Sequence, residues 1–180
     1  MSTDTPIQDD AAFGRLDEPT TLTIVRRLPG PAERVWRYLT DGELRRQWLA
    51  AGDMTPRADT SFELVWRNDE LSASPSERPE GFPAEGRATC RLVEIDAPRR
   101  LRFEWPGVGE VLFELAPKGD EVLLTVVHGR LPDRGTTVRV GSGWHAHLDV
   151  LVAKVEGSAA PSFWPRWVAL REVYERRLPA

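Results

Sequence analysis

The side chains of this sequence whose spacing invites a chemical reading are His128, His145, His147, Asp149 and Cys90. His145 and Asp149 stand four apart in the stretch Gly143-Trp144-His145-Ala146-His147-Leu148-Asp149-Val150-Leu151. Its large apolar residues, Trp144, Leu148, Leu151 and Val155, recur at the four-three-four spacing of one helical face. On such a helix Asp149 can hold the His145 imidazole, and a held imidazole can serve as a general base. Nothing in the sequence brings a substrate to that pair, so the preferred reading is an ion pair that helps the helix. His147 lies two residues from His145 and points to nearly the opposite side. Zinc sites use three or four protein ligands, so no metal is expected.

Cys90 lies in Ala88-Thr89-Cys90-Arg91-Leu92, an alternating pattern that sends Arg87 and Arg91 to the face opposite the thiol. It reads as a small buried hydrophobe. His128 ends a strand and reads as a rim residue. No catalytic set is expected, and nothing calls for a cofactor.

The elements that must position these groups follow from periodicity. Thr21 to Leu28 is rich in β-branched residues and reads as a strand. Pro31 opens a helix with Ala32, Val35, Trp36 and Leu39 on one face, and a second short helix carries Leu44 and Trp48. Phe62, Leu64 and Trp66 alternate along the next strand. Asn68 to Gly86, with its prolines, reads as a long loop and a mobile flap. Arg87 to Ile95, Arg100 to Trp105, Glu110 to Ala116 and Glu121 to His128 follow as strands joined by short turns, an antiparallel meander. After a loop from Gly129 to Thr137, the long helix runs from near Val138 to about Val155. A last helix starts around Ser162, with Trp167, Leu170 and Tyr174 spaced three and four apart. On the long helix, Trp144 is expected in the core and His145 towards the edge, about 100° further round.

The whole chain bounds the partners. It has 180 residues, 41% hydrophobic and 29% charged, with a formal charge of −4 and acids and bases interleaved. No basic stripe could follow a phosphate backbone, so nucleic acid is not an expected partner. No apolar run approaches the ~20 residues that span a bilayer, and no signal peptide opens the chain. The expectation is a cytoplasmic protein without membrane insertion, a monomer or homodimer. Seven tryptophans suggest an aromatic-walled pocket as well as a core.

The order of elements resembles the helix-grip fold of the START-like (SRPBCC) superfamily. Pro31-Ala32-Glu33-Arg34-Val35-Trp36, Leu44 to Trp48, Val93 to Leu101 with Trp105, and Gly143-Trp144 with Leu148-Asp149 and Leu151 resemble its motifs. Together they are similar to the bacterial branch related to the C-terminal domain of the activator of the heat-shock-protein-ninety ATPase. One departure is Arg57-Ala58-Asp59-Thr60, where the family usually opens its second strand with Gly.

The resemblance implies an α+β fold: a curved antiparallel sheet wrapped around a long C-terminal helix, with two short helices after the first strand. It spans a single domain over residues 20–178, with residues 1–19 as a flexible arm. It also implies a cavity between sheet and helix for a small hydrophobic molecule. The wall is expected to comprise Trp48, Phe62, Leu64, Trp66, Phe103, Trp105, Phe113, Trp144, Leu148 and Leu151. The alternatives are a chaperone-associated interaction module, or a cyclase or hydrolase using the same cavity.

Overall fold

The computed structural model of the protein describes residues 10–180. Seven strands form one antiparallel sheet in the order β1-β2-β7-β6-β5-β4-β3. They are β1 (Arg15–Glu18), β2 (Thr21–Pro29), β3 (Thr60–Trp66), β4 (Gly86–Asp96), β5 (Arg100–Trp105), β6 (Gly109–Lys118) and β7 (Glu121–Gly129). Helices α1 (Ala32–Thr40) and α2 (Gly42–Arg46) follow β2; α3 (Arg134–Glu156) and α4 (Phe163–Arg177) close the chain.

Alternation decides the two faces of the sheet. Cys90, Leu92, Leu101, Phe103, Val111, Phe113, Leu115, Val122, Leu124 and Val126 are buried against α1 and α3. The intervening residues carry charge outward and pair across strands. Arg91 reaches Asp59 and Glu104, Arg100 reaches Glu94 and Glu114, and Arg102 reaches Glu94 and Glu110. Cross-strand pairs of opposite charge fix register more than they add stability when they are this exposed.

Helix α3 starts about a turn before the expected Val138. Asp133 caps it, accepting from the Thr136 N–H at 2.7 Å and from the Thr136 hydroxyl at 3.1 Å. The helix ends at Gly157, whose φ of 74° suits glycine at a helix C-terminus. One face, with Trp144, Leu148, Leu151 and Val155, packs on the sheet. The other is not solvated: Val138 and Ala146 pack beneath Phe163, Trp164, Trp167, Leu170 and Tyr174 of α4. A Cβ at Gly141 would stand 3.3 Å from the Tyr174 ring, so the small residue lets α4 come close.

That second core corrects two expectations. His145 is not at an edge; it is 1% exposed, with Phe13 against its ring at 4.8 Å and the Tyr174 hydroxyl 3.1 Å from Nδ1. Sequence periodicity shows one apolar face, whereas α4 buries the flank as well. Within the arm expected over residues 1–19, Phe13 to Glu18 are held by the fold. Arg15–Glu18 pair with β2, Phe13 is buried, and the Gly14 N–H donates to the Tyr174 hydroxyl at 2.7 Å. These residues are too charged to announce a strand, and Met1 to Asp9 lie outside the described residues. On α2 the buried residue is Arg45 rather than Leu44: its guanidinium donates to the Leu39, Thr40 and Gly52 carbonyls, tying the end of α1 to the following turn.

The Asn68 to Gly86 segment holds two short 3-10 turns, Asn68–Leu71 and Pro75–Glu77. It is fastened to the start of α4. Trp164 donates through Nε1 to Asp69 at 2.9 Å and through its backbone N–H to Ser72 at 3.1 Å, while Phe82 packs on Trp164 and Trp167. No helix among the described residues is long and apolar enough to cross a membrane.

Candidate functional site

A cavity of about 360 Å³ opens where β3, β4 and β5 diverge from α3. Its volume lies near the lower end for small-molecule sites. Trp66 and Trp105 stack against each other at one wall, centroids 5.0 Å apart and planes 19° from parallel. Helix α3 supplies the opposite wall with Val140, Gly143, Trp144 and His147. The start of α4 and the tip of the 68–86 segment close the side with Phe163, Trp164, Trp167 and Phe82.

Of the residues expected to line a site, Leu64, Trp66, Trp105 and Trp144 do so. Trp48, Phe62, Phe103, Phe113, Leu148 and Leu151 do not: they pack on one another and fill the space between sheet and helix. Phe103 meets Phe62 at 5.4 Å and Phe113 at 6.0 Å, with Trp48 6.5 Å from Phe113. The opening therefore sits towards one end of the gripped helix rather than along its length.

Sequence reading missed Leu49, Val108, Arg139, Gly143 and His147, together with the α4 aromatics. A signal was present for three of them: Arg139, Gly143 and His147 stand four apart, one stripe of a helix. The stripe was overlooked because it mixes a cation, a gap and an imidazole rather than apolar residues. A Cβ on Gly143 would meet nothing within 4 Å, so the glycine faces open space.

The polar groups around the cavity have assignable roles. His128, placed on a rim by its position in sequence, is buried under it. Trp144 Nε1–H donates to His128 Nδ1 at 3.0 Å, so Nε2 carries the proton and donates to the Val108 carbonyl at 3.0 Å. Burial pushes its pKa down to about 4. This chain fixes Trp144 and the turn after Trp105. His147 is 5% exposed, and its Nδ1 lies 2.8 Å from the Trp48 carbonyl. A carbonyl only accepts, so Nδ1 holds the proton and Nε2 is an acceptor. Burial again lowers the pKa to about 4, against a smaller opposing effect of the Trp48 bond.

The His145–Asp149 pair exists, but lies away from the cavity. Nε2 is 3.8 Å from the carboxylate, which accepts more closely from Arg166 at 2.9 Å and from Arg26 at 3.4 Å. Burial, then the charges of Arg26, Arg166 and Arg177, lowers the His145 pKa to about 2. A base needs a path to substrate and an affinity for protons; here the imidazole is sealed and its protonated form disfavoured. Cys90 is buried in the core, and desolvation raises its thiol pKa to about 12. It behaves as the small hydrophobe that its strand pattern suggests.

A curved seven-stranded sheet gripping a long C-terminal helix, with two short helices inserted after the second strand, defines an α+β helix-grip protein of the START-like class. More narrowly, the chain belongs to the Activator of Hsp90 ATPase homolog 1-like protein family, whose model matches residues 29–156. A Bordetella parapertussis protein solved by NMR is 38% identical, with a TM-score of 0.78 over 92% of this chain and 90% of that one. CalU16 from Micromonospora echinospora is 24% identical, with a TM-score of 0.64 over 87% and 86% of the two chains. A conserved protein from Enterococcus faecalis shares 19% identity and a TM-score of 0.67 over 91% and 88%. The last two show the fold alone. Among curated proteins, none matches the chain.

Proposed function

We propose that this protein binds a small hydrophobic molecule in the cavity between the Trp66–Trp105 stack and the Gly143 stripe of α3. The observation that carries the reading is the open space over Gly143. Core interiors are close-packed, yet here a glycine on a buried helix faces a void walled by aromatic side chains. Apolar walls with a few polar groups are what small-molecule sites present. The family to which the chain belongs and its helix-grip fold support a ligand-binding role.

Substitution at Gly143 tests it, because there the cavity can be filled without displacing anything. The neutral fluorescent probe N-phenyl-1-naphthylamine is expected to bind the native protein at one saturable site. Gly143→Phe should abolish that binding while the protein stays folded. Gly143→Ala should keep it and raise stability by about 1 kcal/mol, as replacing a mid-helix glycine does. Trp66→Ala should weaken the probe, whereas a change at Phe103, which lies outside the wall, should act through stability. Undiminished probe binding by a folded Gly143→Phe variant sinks the assignment.

A further inference from the structure

The stripe Arg139, Gly143, His147 gives the cavity a direction. Eight residues of α-helix separate its ends, a rise of about 12 Å. That is the scale of two joined aromatic rings carrying a substituent at each end.

The inner end is an acceptor. His147 Nδ1–H is committed to the Trp48 carbonyl. Nε2 has no hydrogen-bond partner among the described residues, and it is not one of the sealed, unpartnered polar atoms. Since His147 stands in the cavity wall, the open side of Nε2 is the cavity. Unsatisfied acceptors in a largely buried wall are costly, so His147 Nε2 is the group here that lacks a donor.

The outer end is a cation. The charged residues of the wall are Arg87 and Arg139, and no acidic residue lines it, although the chain as a whole carries −4. Arg87 is already neutralised by Glu85 at 2.7 Å and Glu63 at 3.6 Å. Arg139 is exposed, and its guanidinium has no carboxylate within ion-pair distance among the described residues; the acid that senses its charge, Asp133, is engaged in capping α3. Between the two ends lie the void over Gly143 and the flat Trp66–Trp105 stack.

We propose that the cavity accepts a rod-shaped aromatic acid bearing a hydroxyl at its far end. The carboxylate sits on Arg139, the rings lie over Gly143, and the hydroxyl donates to His147 Nε2. This rests on the cavity reading above and adds to it the class of ligand and its orientation.

Four compounds that differ only at their ends test it, in competition with N-phenyl-1-naphthylamine. They are biphenyl, biphenyl-4-carboxylate, 4-hydroxybiphenyl and 4′-hydroxybiphenyl-4-carboxylate. In the native protein each substituent should tighten binding about tenfold over the compound lacking it, the worth of a charge-assisted pair or a buried hydrogen bond. Arg139→Gln should remove the carboxylate's advantage and leave the hydroxyl's. His147→Asn retains a donor for the Trp48 carbonyl but loses Nε2, so it should do the reverse. Each advantage is scored within one variant, relative to biphenyl's own affinity for that variant, and circular dichroism melts report that both variants are folded. If biphenyl competes and the hydroxy acid is no tighter in the native protein, the oriented-acid proposal is overturned while the cavity reading stands. The proposal also falls if both advantages survive both substitutions. If none of the four displaces the probe, the cavity reading falls, and this one with it.

Discussion

An imidazole inside a protein is least costly when it is neutral and both nitrogens have partners. His128 meets that condition, with Trp144 donating to one nitrogen and the Val108 carbonyl accepting from the other. His147 meets half of it. His145 lies between Phe13, Tyr174 and Asp149 in the second core. The sequence shows that His145 and Asp149 are four apart, but not that Arg26 and Arg166 reach the same carboxylate from other elements, because those contacts span 123 and 17 residues. The consequence is measurable. Trp144→Ala should cost roughly 3–5 kcal/mol, as large aromatic truncations in cores do. His145→Ala, expected from periodicity to cost less than about 1 kcal/mol, should instead cost roughly 2–4 kcal/mol, since it opens a buried space and strips the Tyr174 hydroxyl of a partner. Paired denaturant melts decide it. A His145→Ala variant within about 0.5 kcal/mol of the native protein, the range of surface substitutions, would mean that α4 does not cover this flank in solution.

Alternation made most of the elements readable: β5 and β7 bury alternate residues, β2, β3, β4 and β6 do so over part of their length, and the turns between β4 and β7 are short and rich in Pro, Gly or Asp. What stayed hidden depends on tertiary partners. β1 is four residues, Arg-Leu-Asp-Glu, held at the sheet edge by pairing with β2 rather than by its own propensity. Docking of α4 on α3 decides which flank of α3 is buried, and it places Trp164 and Trp167 in the cavity wall. The 68–86 segment, expected to move as a separate flap, is hydrogen-bonded to the first turn of α4 through Asp69, Ser72 and Ser162. A closing motion at the cavity must then carry both. Amide exchange in residues 68–86 and in 162–168 should slow together when N-phenyl-1-naphthylamine binds, with similar protection factors in the free protein, as expected of one opening unit. Slowing in the loop alone would restore the independent flap. Asp69→Ala should uncouple the two, speeding loop exchange while leaving α4 protected by its apolar contacts.

At the scale of the whole molecule, the outer sheet face and the interior respond to acid in different ranges. The ion pairs across β3 to β6 are exposed, and the carboxylates among them with displaced pKa, Glu85 and Glu104, are held below the usual range by their arginine partners, so they keep their charge until strongly acid pH. The three histidines are different. All are buried, and desolvation lowers the pKa of His128 and His147 to about 4 and of His145 to about 2. In the unfolded chain each would titrate near 6.5. Above that value neither state binds the proton and the histidines have no effect on the pH dependence. As pH falls from about 6.5 towards 4, the unfolded state takes up three protons that the folded state refuses, so stability must drop. Each proton contributes about 1.4 kcal/mol per pH unit; three give a limiting slope of roughly 4 kcal/mol per unit, large against a total stability of about 5–15 kcal/mol. Urea melts at pH 7, 6 and 5 should therefore show a loss of roughly 2 kcal/mol over the first step and nearly twice that over the second. His128→Gln, which offers an amide donor and acceptor in place of the ring nitrogens, should reduce the limiting slope by about one third. A stability that holds level from pH 7 to pH 5 would show that the histidines take up protons in the folded protein as readily as in the unfolded chain, and would contradict their burial beneath α4 and between Trp144 and Val108.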